Sequence, residues 1–207
     1  MNINKQKLTI AAIAVLGILL VWLALYWTPG GKPAPHKRLD ALGQAPQGGD
    51  FVLAGADGPV ALKDYRGKIV LVYFGYTFCP DVCPTSLSLM AQAISSLDSA
   101  AQQKVRGIFV SVDPERDTRE RLKEYAPFFH PLIIGASGSP EQIAAAARQY
   151  GVSYMKQKPG ADGQYVVDHS SVTYVIAPDG TLAASLPHAS PPEAIVAEIN
   201  KLLPAAQ

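Results

Sequence analysis

Apolar and polar positions change period several times along the chain, and each change marks an element. The first run, Leu8 to Trp27, reads "LTIAAIAVLGILLVWLALYW" and holds twenty residues without a charge. A helix of that length spans the roughly 30 Å hydrocarbon core of a bilayer. Trp22, Tyr26 and Trp27 gather toward its far end, where amphipathic rings favour the membrane interface. Residues 28–49, "TPGGKPAPHKRLDALGQAPQGG", are rich in Pro and Gly and lack apolar periodicity, so they read as a linker. Beyond it, "FVLAGADGPVAL" (51–62) alternates as two short strands about a Gly-containing turn. "KIVLVYFGYT" (68–77) is an unbroken β-branched and aromatic run, which suits a central strand covered on both faces.

Helical spacing takes over in "PTSLSLMAQAISSL", where Leu87, Met90, Ile94 and Leu97 share a face and Pro84 fits the first turn. "VRGIFVSVD" is a second buried strand. "DTRERLKEYAPFF" predicts a helix with Asp117 as N-cap and Glu120 three residues on. "PLIIGAS" is a strand, and "SPEQIAAAARQYG" a capped helix ending at Gly151. "SSVTYVIAPDGTLAASL" reads as a hairpin turning at Pro178-Asp179-Gly180 that adds an antiparallel edge, and "PPEAIVAEINKLL" as a closing helix. Strands alternating with helices indicate an α/β sheet with crossover connections. Between the last capped helix and the hairpin lies an insertion, "VSYMKQKPGADGQYVVDH" (152–169), too long for a simple connector. The expected organisation is a tip and anchor over residues 1–27, a linker over 28–49 and one folded domain over 50–207.

Charge sharpens the topology. Of 18 Lys and Arg, five fall within residues 1–39, which carry no acid; the other 13 face all 17 Asp and Glu, a net of −4. A domain so charged lacks the basic footprint of a nucleic-acid binder. Lys5 and Lys7 precede the apolar run, and the positive-inside rule keeps them in the cytoplasm and exports the chain beyond Trp27. A signal peptide would have a shorter apolar core and a small-x-small cleavage site, neither of which is found here. The run therefore reads as an uncleaved single-pass anchor in the cytoplasmic membrane, with Lys32, Lys37 and Arg38 near the headgroups.

Both cysteines lie in "VYFGYTFCPDVCPTSL", as Cys79 and Cys83. They follow a central strand and open a helix, the place where ligands bind in open α/β sheets and where the helix dipole favours thiolate. Four-residue spacing would put both sulfurs on one face of a helical turn. A plain disulfide closing so short a loop would add only about 2 kcal/mol, and a domain with a sizeable core has little need of it. The pair reads as reactive. His169 ends the insertion, whereas His36, His130 and His188 read as ordinary surface residues. Two thiolates and an imidazole suit copper, Cu(I) above all. Zinc remains open, although structural zinc takes four protein ligands and no third Cys exists. On spacing alone His169 is as readily a plain surface histidine.

In this order, "FGYTFCPDVCPTSL", "SVDPERDT" and "DHSSVTYVIAPDG" after one N-terminal anchor resemble the Sco/SenC family, over residues 50–203. The resemblance implies a thioredoxin-like α/β fold with an inserted hairpin behind a single transmembrane helix. It implies copper ligation by Cys79, Cys83 and His169, and delivery to cytochrome c oxidase, at the CuA site of subunit II. An upstream copper donor and a thiol reductant are further implied partners. Asp113 and Asp117 match the family's acidic motif; a strand-end turn and a helix N-cap are their expected roles, ahead of metal ligation. Ordinary thioredoxins place a cis-proline opposite their cysteines, but this chain has no proline between Pro159 and Pro178, so His169 would face the sulfurs instead. The alternative is a thiol–disulfide oxidoreductase that reduces the oxidase cysteines, with His169 tuning the thiolate. A peroxidase is the weaker rival: "CPTS" is similar to a peroxiredoxin element, but Pro80 stands where that chemistry needs Thr.

Overall fold

The structure, a computed structural model, describes residues 14–22 and 46–204. The chain forms two compact units, Met1–Gly43 and Gln44–Gln207. In the first, residues 14–22 are helical (α1) and exposed. Among the described residues no helix is long and apolar enough to cross a membrane. The rest of the Leu8–Trp27 run, and most of the 28–49 segment, lie outside the described residues.

The second unit alternates strands and helices as the period changes predict. Hairpin β1 (Val52–Gly55) and β2 (Pro59–Ala61) comes first, followed by β3 (Ile69–Gly75). Helices α2 (Val82–Ser96) and α3 (Ser99–Gln103) lead to β4 (Val105–Ser111), then α4 (Arg119–Phe129) and β5 (Ile133–Ser137). After α5 (Pro140–Gln149), β6 (Tyr154–Lys156) and β7 (Val167–His169) form a small antiparallel ribbon within the insertion. Strands β8 (Thr173–Ile176) and β9 (Leu182–Leu186) and helix α6 (Pro192–Leu202) complete the unit. The main sheet runs β2-β1-β5-β4-β3-β8-β9, with β3, β4 and β5 parallel and the other pairings antiparallel.

Every residue of β3 is buried, as a strand flanked by β4 and β8 and covered on both faces must be. Tyr73 and Phe74 of β3, Phe109 of β4 and Tyr150 are the largest wholly buried side chains around it. Helix α2 packs against α6 and α4, burying Leu87, Met90 and Ile94 along its predicted face. Helix α5 starts on a full capping box: Ser139 accepts from the Gln142 amide while Gln142 accepts from the Ser139 amide.

The terminal hairpin adds the expected antiparallel edge: β8 pairs with β3 and is buried throughout, and β9 forms the margin. Two expectations change. Helix α4 is capped by Thr118, whose hydroxyl accepts from the Arg121 amide at 3.3 Å, and not by Asp117. Cys79 lies in the turn before α2, so the two cysteines do not share a helical turn; only Cys83 is on the helix.

Candidate metal centre

Strand β3 ends at Gly75, and the chain turns through Tyr76–Asp81 before α2 begins at Val82. Asp117 builds that turn. Its buried carboxylate accepts from the Thr77 amide at 2.9 Å, the Thr77 hydroxyl at 2.7 Å and the Ser111 hydroxyl at 2.6 Å. Three donors converging on one carboxylate tie the segment before Cys79 to the end of β4. Cys79 is 8% exposed and Cys83 is wholly buried. The Cys83 amide, an unpaired donor at the helix start, points at Cys79 Sγ from 3.5 Å. Gly75 is required by close approach: a Cβ there would sit 2.6 Å from Cys83 Sγ.

His169 arrives from the other side, at the end of β7. Its Nδ1 lies 3.1 Å from the Ser170 carbonyl, and its Nε2 lies 3.2 Å from Cys83 Sγ. A carbonyl can only accept, so Nδ1 carries the proton and the Nε2 lone pair faces the sulfurs. The rings of Tyr73 and Tyr76 meet the imidazole edge to face, with centres 6.2 and 5.8 Å away. Among the described residues, Cys79, Cys83 and His169 are the group able to hold a metal ion, their ligand atoms all within 4.8 Å of one another.

Both thiols are free, and they divide one proton unevenly. The Cys83 thiol donates to Cys79, which holds the Cys79 thiol down to about 3 against the opposing effect of burial; the Asp81 and Cys83 amides add to it. The Cys83 thiol is pushed up, first by that same hydrogen bond and then by burial. The pair therefore presents one thiolate at the less buried position and keeps its proton on the buried sulfur.

The structure thus brings Cys79, Cys83 and His169 to one point. Asp113 and Asp117 stay outside it, their carboxylates engaged elsewhere: Asp113 accepts from Arg116 Nε at 2.6 Å and from the Tyr165 hydroxyl at 2.8 Å. Sequence reading passed over Arg116, Tyr165 and Thr77, because their contacts bridge distant segments. The aromatic residues bracketing each ligand, Tyr76 and Phe78 beside Cys79 and Tyr165 before His169, were the available signal.

The sequence model of the SCO1/SenC family matches residues 40–204. The chain belongs to the SCO1/SenC family. "Protein SCO2 homolog, mitochondrial" of Bos taurus is 40% identical over 179 residues, which cover 85% of this chain and 67% of the relative. The crystal structure of Arabidopsis thaliana ScoI with copper bound superposes with a TM-score of 0.67 at 39% identity. That match covers 74% of this chain and 98% of the other. BsSco, described as a member of the Sco family of cytochrome c oxidase assembly proteins with a disulfide switch, matches at 26% identity with a TM-score of 0.60. It covers 76% of this chain and 94% of that one. These likenesses make the domain α/β and thioredoxin-like, with the β6–β7 ribbon as an insertion in that fold.

Proposed function

We propose that this SCO1/SenC protein is a copper metallochaperone that takes part in assembling cytochrome c oxidase. It binds one copper ion through Cys79, Cys83 and His169. The observation that carries the reading is the convergence of two sulfurs and a lone-pair-bearing Nε2 within 4.8 Å. Two soft donors with one imidazole favour copper over metals that prefer oxygen, and a three-donor set leaves a position for an incoming ligand. The copper-bound Arabidopsis relative supports the same metal. Cys79 already holds thiolate, so loading displaces only the proton on Cys83. Delivery goes to the CuA-bearing subunit II by ligand exchange: an acceptor thiolate enters the open position, and this chain's ligands leave one at a time. The chain receives its copper from an upstream donor and its electrons from a thiol reductant.

In this reading residues 1–27 form the cytoplasmic tip and single-pass anchor, residues 28–49 the linker, and residues 50–207 the exported domain. The charge-free Leu8–Trp27 run and the lysines before it support that placement. The likeness to the mitochondrial relatives and to a SCO1/SenC lipoprotein is consistent with membrane association.

A second reading is favoured by the uneven proton between the thiols. A low-lying thiolate at Cys79 beside a protonated Cys83 is the attacking and resolving arrangement of a disulfide reductase. Cys79 would attack a partner disulfide and Cys83 would resolve the mixed disulfide. The partner then leaves with two thiols, and this chain keeps the disulfide. Copper titration of the purified chain, reduced and oxidised, tests the first reading. One equivalent bound by the dithiol and none by the disulfide supports it. Equal binding by both forms refutes it.

A further inference from the structure

Arg116 ligates nothing, yet it touches the turn that carries Cys79 and the insertion that carries His169. Its Nε donates to Asp113 at 2.6 Å and its Nη1 to the Tyr165 carbonyl at 2.9 Å. The guanidinium centre lies 3.5 Å from the centre of the Tyr165 ring, 4.7 Å from that of Phe78 and 5.6 Å from that of Tyr76. The Tyr165 hydroxyl closes the circuit on the second Asp113 oxygen at 2.8 Å. Phe78 adjoins Cys79, Tyr165 stands two residues before β7, and the Tyr76 ring meets His169 itself. Only a planar cation with several donors can make the fork and the stack together. Nη2 is buried without a hydrogen-bond partner, so the guanidinium keeps this position at the cost of one unmet donor.

The ribbon needs such a tie. Strands β6 and β7 pair only with each other and not with the main sheet, and an isolated two-stranded ribbon is marginal in water. Met155 and Val166 are exposed. The Lys156–Glu115 ion pair is exposed as well, which makes it a weak restraint. Val167 is the ribbon's buried apolar residue.

We propose that Arg116 is a positioning residue for the metal centre. Held in place by Asp113, it clasps Tyr165, ahead of the β6–β7 ribbon, to Phe78 and Tyr76 of the Cys79 turn and so sets the approach of His169 to the sulfurs. The proposal rests on the assignment of Cys79, Cys83 and His169 as copper ligands. Arg116→Lys keeps the charge but loses the fork and the planar stack; Tyr165→Phe keeps the ring and loses the hydroxyl.

The test uses the full chain, reduced, with Cu(I) affinity read by competition against a chromogenic chelator. Arg116→Lys should weaken binding about 10–100-fold, the range for groups that orient a metal ligand, and Tyr165→Phe should weaken it less. In a His169→Ala background neither substitution should lower affinity further, because nothing is left to position. Hydrogen exchange of the copper-free protein supplies a second readout. Amides 154–169 should exchange faster in Arg116→Lys, while β3 and β4 stay protected. Unchanged affinity with unchanged ribbon exchange would overturn the clasp, and so would an equal loss in the His169→Ala background. If the unsubstituted chain binds no Cu(I) through these three residues, the functional reading fails, and ribbon exchange still decides the clasp.

Discussion

The proton on His169 Nδ1 fixes what the imidazole can do. Held by the Ser170 carbonyl, it leaves Nε2 as a ligand or base directed at sulfur. His169→Ala should therefore lower Cu(I) affinity by more than about a hundredfold, beyond the effect of outer-shell changes. The Cys79–Cys83 disulfide should still form and reduce, because thiol exchange needs only the sulfurs. Chelator competition and thiol titration on the same sample measure both. If the variant loses copper yet still supports oxidase assembly, the reductase reading takes precedence. Cys79 offers a pH test. A thiol held at about 3 stays ionised across the neutral and mildly acidic range. Alkylation of Cys79 in the copper-free protein should run at nearly the same rate at pH 8 and pH 5, whereas an ordinary thiol slows about tenfold per pH unit. Stability depends on pH through the same thiol. An unfolded Cys79 binds a proton below the free-thiol value and the folded one only near 3, so its contribution is full above the free-thiol range and fades as pH falls. The melting temperature advantage of the reduced chain over Cys79→Ser should therefore shrink from pH 8 to pH 4. A constant gap would refute the assignment.

Strand β3 and the start of α2 hold the cysteines, and Gly75 is where they meet. Gly75→Ala would place a methyl 2.6 Å from Cys83 Sγ and 3.0 Å from the Phe109 ring. Overpacking of this kind costs about 1–3 kcal/mol. The variant should melt lower and bind copper more weakly, because Cys83 must give way; native affinity at native stability would contradict the packing account. The unbroken run of β3, the apolar face of α2 and the capping box of α5 could all be read from the chain, because each is a short-range pattern. What local pattern could not show is where tertiary contacts override it. Asp117 looks like a cap beside Thr118, but Thr77, 40 residues away in sequence, and Ser111 claim its carboxylate. The β6–β7 ribbon is expected only as the inserted hairpin that the family resemblance implies, because strands of three residues each are too short to show as a local pattern. The two cysteines were legible from their junction, but His169 joined them only through the family resemblance.

In the proposed reading the whole molecule joins a membrane anchor to an exported copper domain. The charge-free run with lysines on one side predicts that a phosphatase reporter fused after Leu203 is active outside the cytoplasm and stays with membranes. A soluble chain cut near residue 28 would mean that the run is a signal peptide. The exported compartment is oxidising, and metal binding needs thiolates, so the domain must be kept reduced by a partner. Removing that reductant should leave the chain disulfide-bonded and without copper, as thiol trapping and metal analysis would register. The central claim, one copper held by these three residues, is met most directly by X-ray absorption at the copper edge on the reduced full chain loaded with one equivalent of Cu(I). The expected spectrum has two sulfur scatterers and one imidazole nitrogen, the nitrogen vanishing in His169→Ala. A sulfur-only shell, or a nitrogen that persists in that variant, would contradict it.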